Sequence, residues 1–159
     1  MEFAAARAPG KTMLKVTGIL FIVFGAISLI LGLLALAGAA MMYELGTTVP
    51  GGFGIEYAAG AVALAAAVMI GQSLFSIFLG IMALVNAAKP HKCGVVRALA
   101  IVQLALVLLM LVVDPSIIAI VGFVLPILTL IGAQQNIKAH KEAMEYPMPH
   151  DQNPYNPHN

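Results

Sequence analysis

The chain alternates between long runs of apolar residues and short segments that hold its charged side chains. Four runs contain no Asp, Glu, Lys or Arg: residues 16–42, 58–88, 98–113 and 115–137. A helix of about 20 such residues crosses the hydrocarbon core of a bilayer, which is roughly 30 Å thick. The third run is shorter, but Val95 and Val96 extend it because the aliphatic stem of Arg97 lets its charged head reach the headgroups.

This pattern predicts an all-α fold, a transmembrane four-helix bundle in which each helix satisfies its own backbone amides. We expect a cytoplasmic arm at residues 1–12, a four-helix transmembrane domain at 13–141 and a disordered, proline-rich cytoplasmic tail at 142–159. The only sizeable external loop is predicted at 43–57, which is rich in glycine. The expected helices cover residues 13–42, 58–88, 95–113 and 115–137.

The positions of the cations predict the orientation. All 8 Lys and Arg residues fall in three groups that flank the apolar runs: three before the first run, three around the connection between the second and third helices, and two after the fourth run. They are Arg7, Lys11 and Lys15; Lys89, Lys92 and Arg97; and Lys138 and Lys141. The other two loops hold Glu44, Glu56 and Asp114 and no cation. The positive-inside rule therefore predicts a multi-pass plasma-membrane protein with both termini in the cytoplasm. The alternative of a cleaved signal peptide is disfavoured because such peptides have an apolar core of only about 7 to 15 residues.

The composition supports the same class of protein. Apolar residues make up 61% of the chain and charged residues 9%, whereas a soluble domain carries about 25% charged residues. This excludes a water-soluble globule, and the net charge of +1 excludes a nucleic-acid-binding protein. The single cysteine excludes a disulfide scaffold. The lipid bilayer is therefore the expected partner.

Helix association in lipid depends on small residues and on hydrogen bonds between helices, because lipid tails are as apolar as leucine. Small residues recur at steps of three and four and predict the inner helix faces, and Pro126 is expected to kink the fourth helix. Gln72, Gln103 and Asn86 are expected to join helices as intramembrane polar residues. The predicted packing residues are Gly18, Gly25, Ser28, Gly32, Ser73, Ser76, Gly80, Gly122 and Pro126.

A short internal match links the two halves of the chain. Residues 79–92 align with residues 128–141, and the alignment pairs Leu79, Lys89, His91 and Lys92 with Leu128, Lys138, His140 and Lys141. Two parallel-repeat hairpins, related by an axis along the membrane normal, would explain the match. The simpler explanation, which we favour from the sequence, is that Lys and His recur at cytoplasmic helix ends, where they meet headgroups and the helix C-terminal dipole.

The sequence contains no pattern typical of catalysis. No serine-nucleophile motif, paired carboxylates or zinc-ligand spacing occurs, so we expect neither an enzyme nor a cofactor or metal site. The four runs also lack ionisable residues, which proton-coupled transporters and voltage sensors place inside the membrane.

Three segments carry a resemblance to known proteins: GILFIVFGAISLILG, NAAKPHKCGVVRALAIVQLAL and LTLIGAQQNIKAHKE. In these segments the chain resembles small four-helix integral membrane proteins of Gram-positive bacteria, which are known mainly as uncharacterised families. The resemblance implies a bacterial plasma membrane and brings no assigned activity or functional residues.

We therefore expect an accessory or scaffolding subunit that assembles with other membrane subunits, or with itself, through small-residue helix faces. One alternative is a homo-oligomeric channel or small-solute transporter lined by Gln72, Ser73, Ser76 and Gln103. Another is a surface recognition or immunity protein that uses the loop at 43–57.

Overall fold

Four long helices make up most of the described chain, as the apolar runs predict. The computed structural model describes residues 9–49, 53–113 and 117–145, and no strand occurs within these ranges. The all-helical class is therefore confirmed. The residues before position 9, the predicted start of the fourth helix at 115 and the tail beyond 145 lie outside the described residues. The helices are α1 (Lys11–Thr48), α2 (Phe53–Asn86), α3 (Cys93–Val113) and α4 (Ile117–Glu145), with a 3-10 turn (Pro90–Lys92) before α3.

The first two helices extend further than the charge-free runs that predict them. Because α1 continues to Thr48 and α2 begins at Phe53, only residues 49–52 separate them, in place of the predicted loop at 43–57. Glu44 follows the first charge-free run and Glu56 precedes the second. Neither residue ends a helix, because glutamate is a good helix former. Helix α1 ends where Val49 takes up an extended backbone, with φ −94° and ψ 124°, the conformation that a following proline favours.

Helices α1 and α2 pack closely through glycine. A Cβ added to Gly18 would lie 2.9 Å from the carbonyl oxygen of Gly80, and one added to Gly80 would lie 2.7 Å from the carbonyl oxygen of Gly18. Further along α1, a Cβ added to Gly25 would lie 2.7 Å from the Ile77 side chain and 3.1 Å from the carbonyl oxygen of Ser73. Residue numbers rise along α1 as they fall along α2, so the two helices are antiparallel.

The four helices form a ring in which each lies beside the next in the chain and α4 lies beside α1. The most extensive contacts are those between α1 and α2 and between α3 and α4, so the fold consists of two helical hairpins. A buried apolar cluster joins the hairpins near the α2–α3 turn. Its larger members are Leu14, Phe21, Leu79, Val96 and Leu125.

The first hairpin is longer than α3. At about 1.5 Å per residue, the 38 residues of α1 extend about 57 Å and the 21 residues of α3 about 32 Å. The end of α2 and the start of α3 lie at the same height in the bundle. Ser76 is ten residues before the end of α2, and it accepts a hydrogen bond from Gln103, which is ten residues after the start of α3. The outer part of the first hairpin therefore projects beyond the end of α3.

The helix surfaces are apolar on nearly all sides. Leu34, Met41 and Leu64 expose 64%, 69% and 69% of their surface, and a helix that is apolar all round is typical of a membrane span. Within the described residues, three helices are long and apolar enough to cross a membrane: Lys11–Thr48, Gly54–Asn86 and Pro90–Met110.

Substituting Gly18 by leucine tests the glycine contact between α1 and α2. Because the added side chain would meet the Gly80 carbonyl, we expect Gly18→Leu to reduce the free energy of unfolding by about 1–3 kcal/mol. Gly71→Leu is the control, since no heavy atom lies within 4 Å of a Cβ added to Gly71. Thermal or denaturant unfolding of the purified protein in detergent measures both, and equal stability of the two variants would contradict the close contact.

Candidate functional site

A buried asparagine joins separate parts of the chain at the end that carries the α2–α3 turn. The side chain of Asn136, in α4, is fully buried. Its Oδ1 accepts a hydrogen bond from the backbone N–H of Gly10 at 2.9 Å, and its Nδ2 donates to the carbonyl oxygen of Ala87 at 3.2 Å. We call Gly10, Ala87, Cys93 and Asn136 the polar junction.

Asn136 satisfies two backbone groups that the helices leave free at their ends. Gly10 directly precedes α1, so its N–H has no partner within that helix. Ala87 directly follows the C-terminal end of α2, where carbonyl oxygens have no partner within the helix. An amide side chain offers both an acceptor oxygen and a donor NH₂ group. A single residue of α4 therefore binds the start of α1 and the end of α2 together.

Cys93 completes the polar junction from the start of α3. Its side chain is fully buried, and its Sγ lies 3.6 Å from Nδ2 of Asn136. The same sulfur lies 3.6 Å from the carbonyl oxygens of Asn86 and Lys89. A thiol is a weak donor and a weak acceptor, so we assign these contacts a packing role. All four helices thus meet at the polar junction.

Two glycines bring α1 and α4 close enough for the Asn136 bond. A Cβ added to Gly10 would overlap the carbonyl group of Gly132. A Cβ added to Gly132 would in turn lie 3.3 Å from the Leu14 side chain. Asn136 lies one helical turn beyond Gly132, on the same face of α4, and this places its amide beside Gly10.

A second polar contact links the hairpins within the apolar region. Gln103 of α3 is 3% exposed, and its Nε2 donates to the hydroxyl of Ser76 in α2 at 3.1 Å. Its Oε1 is buried without a hydrogen-bond partner among the described residues. Hydrogen bonds between helices in apolar surroundings contribute about 0.6–2 kcal/mol each. The contact therefore helps to hold α3 against α2.

Several of the packing residues predicted from the sequence lie against a neighbouring helix. Gly18, Gly25 and Gly80 make the contacts described above, and a Cβ added to Gly32 would lie 2.8 Å from the Ile70 side chain. These four glycines bring α1 and α2 together over residues 18–32 of α1.

The remaining predicted packing residues are less uniform. Ser73 is buried, and its hydroxyl donates to the carbonyl of Met69 in its own helix at 2.7 Å. Pro126 is fully buried inside α4. Ser28 and Gly122 are only half-buried, and within the described part of the chain no heavy atom lies within 4 Å of a Cβ added to Gly122.

The predicted polar residues also behave differently from one another. The structure brings Gln103 and Ser76 together, whereas Asn86, although buried, donates to the Met82 carbonyl of its own helix at 2.9 Å. Gln72 is half-buried, one helical turn before Ser76. Of the three predicted polar residues, Gln103 is the one whose side chain bonds another helix within the described residues.

Asn136, Gly10 and Gly132 are not among the packing or polar residues predicted from the sequence. Asn136 follows Gln134 and Gln135, and such a polar stretch is typical of a helix leaving the membrane. One signal was available in the internal match, because Asn136 aligns with Ala87, the residue whose carbonyl it binds.

Within the described ranges, no three His, Cys, Asp or Glu side chains are grouped so that they could hold a metal ion. No protein-family model, curated protein or solved structure matches this chain.

Replacing the junction asparagine tests its structural role. Asn136→Leu keeps the side-chain size but leaves the Gly10 N–H and the Ala87 carbonyl unpaired, and we expect a loss of about 1–3 kcal/mol in stability. We also expect faster alkylation of Cys93 by a membrane-permeant maleimide. Gln135→Leu, at the exposed neighbouring position, is the matched control. If both variants melt together and protect Cys93 equally, the assigned role is wrong.

The contact between Ser76 and Gln103 predicts that substituting one partner destabilises the protein more than substituting the other. Ser76→Ala leaves the whole buried amide of Gln103 unpaired, which costs about 1–3 kcal/mol. Gln103→Leu removes the unpartnered oxygen as well, and the Ser76 hydroxyl can then bond the backbone of its own helix. Unfolding in detergent should therefore show Ser76→Ala to be the less stable variant, and the reverse order would contradict the contact.

Proposed function

We propose that the protein is an accessory or scaffolding subunit of the plasma membrane that has no catalytic activity of its own. In this proposal the chain crosses the membrane four times as a four-helix bundle, with both termini in the cytoplasm. Support for the membrane setting comes from the three helices that are long and apolar enough to cross. Support for the orientation comes from the polar junction, which gathers the cation-bearing segments at one end of the molecule.

The observation that carries the scaffolding role is an outer face of α2 that has small residues and no neighbour among the described residues. Gly60, Ala67 and Gly71 are exposed, and steps of seven and four residues place them on one side of the helix. No heavy atom lies within 4 Å of a Cβ added to Gly60 or Gly71. Small residues of this kind let membrane helices approach closely, as Gly18 and Gly80 do inside this chain. We infer that the face receives a helix of another membrane subunit.

A groove next to this face supports the same inference. It has a volume of about 390 Å³ and lies between the outer parts of α1 and α2. Because this part of the first hairpin projects beyond α3, the second hairpin leaves it open. The residues that line it are small or apolar for the most part: Leu36, Ala39, Ala40, Tyr43, Glu44, Ala59, Gly60 and Ala63.

We also propose that the two hairpins are structural repeats. Equivalent positions of the two matching segments contact each other, since Asn136 donates to Ala87 and the ring centroids of His91 and His140 lie 6.3 Å apart. Contacts between equivalent positions are typical of residues close to a two-fold axis. In a membrane such an axis would run along the bilayer normal.

One observation favours a channel or transporter as a second candidate function. The unpartnered Oε1 of Gln103 is a polar atom inside the apolar region, where a permeating polar solute would find an acceptor. Flux through liposomes that contain the purified protein would support this candidate, and loss of that flux in Gln103→Leu would establish it. The surface-recognition hypothesis is less favoured, because only residues 49–52 separate α1 from α2.

The test of the scaffolding role is purification of the tagged, full-length protein from its native membrane in a mild detergent. We expect a specific membrane protein to copurify with the wild type and to be lost by at least about tenfold with Gly71→Leu, since overpacking a tight contact costs about 1–3 kcal/mol. Gly94→Leu is the matched control, because Gly94 is equally open but lies at the start of α3.

Two results would count against the scaffolding role. One is a monodisperse monomer recovered from native membranes without a copurifying subunit. The other is an equal loss of the copurifying protein with both glycine variants, which would show that the α2 face has no special part in the association.

A further inference from the structure

The internal match in the sequence becomes a cluster of basic side chains in the structure. Residues 89–92 follow α2, and residues 138–141 lie near the end of α4; each segment has the pattern Lys-x-His-Lys. The ring centroids of His91 and His140 lie 6.3 Å apart, with an angle of 53° between the ring planes. We call these two segments the basic pair.

The basic pair carries an excess of positive charge at the surface. Lys89, Lys92 and Lys141 are exposed, and Lys138 forms an exposed ion pair with Glu142 at 3.8 Å. No other ion pair forms within residues 9–49, 53–113 and 117–145. Three lysines of the basic pair are therefore available to an external anion.

The surroundings of the basic pair favour a lipid over a soluble anion. Each segment lies just beyond the apolar part of its helix, after Asn86 in α2 and after the polar residues 134–136 in α4. In the proposed orientation both segments are therefore close to the headgroups. Val85, Val95 and Ile131 lie within about two helical turns on the apolar side and expose 55%, 52% and 42% of their surface. An acyl chain that packs along these side chains would bring its headgroup to the basic pair.

We propose that the basic pair binds the phosphate of an anionic glycerophospholipid in the cytoplasmic leaflet. This inference depends on the membrane embedding that is part of the proposed function. Lysine ammonium groups and the ring N–H groups of histidine are hydrogen-bond donors that suit phosphate oxygens. Basic pockets between membrane helices are known to recognise such headgroups. The lipid would bridge the α2–α3 turn and α4, and so hold the two hairpins together beside the polar junction.

Native mass spectrometry of the full-length protein in a neutral detergent tests this site. The protein is supplied with phosphatidylglycerol or with phosphatidylcholine, and the bound lipid is counted. We expect retention of phosphatidylglycerol over phosphatidylcholine by the wild type. Lys92→Gln combined with Lys141→Gln should reduce that retention by about tenfold or more, as expected for the loss of two charges at a headgroup site.

The matched control is Lys15→Gln combined with Arg97→Gln, which removes the same charge from two exposed positions outside the basic pair. We expect this control to change retention by less than about threefold, since its charges are not part of the site. An equal loss in both double variants would overturn the proposal, because it would show that diffuse surface charge attracts the lipid.

A competition arm distinguishes the lipid from a soluble anion. Inorganic phosphate at millimolar concentration should leave the bound phosphatidylglycerol in place, because the acyl chains of the lipid add apolar contacts that phosphate lacks. Displacement of the lipid by inorganic phosphate would overturn the assignment to a lipid.

Membrane fractionation of the wild type and both double variants separates failure of this site from failure of the proposed embedding. A protein that stays in solution without detergent would refute the embedding. A membrane-embedded protein with no lipid preference would refute the basic pair alone.

Discussion

The close approach of backbone to backbone is the constraint on which this structure depends. In hydrocarbon, large apolar side chains gain little by leaving lipid for one another, so helices associate where small residues remove side-chain bulk and where polar groups find partners. Helices α1 and α2 meet through Gly18 and Gly80, and α1 meets α4 through Gly10 and Gly132. The second contact brings Asn136 to the N–H that precedes α1. The hydrogen bond depends on the glycines, because it can form only where Gly10 and Gly132 let α1 and α4 approach each other closely.

The main features of the fold follow from the sequence because they depend on local composition. Runs without charged residues predict helices, and the structure has a helix at each of the four runs within its described ranges. The helix ends were harder to predict. A run without charged residues indicates which residues suit an apolar environment, but a helix can continue through charged residues. Glu44 and Glu56 illustrate the difference: Glu44 follows the first charge-free run and Glu56 precedes the second, yet both lie inside helices.

The polar junction was not predictable by the same reasoning. Gly10 and Asn136 are 126 positions apart, and nothing local to either residue indicates the other. Gln103 and Ser76 could be named as polar residues in an apolar region, but their pairing depends on the register of α3 against α2. Asn86 was also predicted to join two helices. Its buried amide instead donates a hydrogen bond within its own helix. Sequence patterns therefore identified candidate side chains, and the packing of the helices chose among them.

The unequal lengths of the hairpins have a mechanical consequence in a bilayer. A hydrophobic stretch that exceeds the local thickness must lean or thicken the lipid around it, and a shorter stretch thins that lipid. The charge-free runs of α1 and α3 differ by 11 residues, so in the proposed membrane setting one bilayer thickness would not suit both equally. The hairpins are anchored to each other near the α2–α3 turn, and the far end of the longer one is unsupported by α3. A change in bilayer thickness would accordingly act on the angle between the hairpins, with Asn136 close to the pivot.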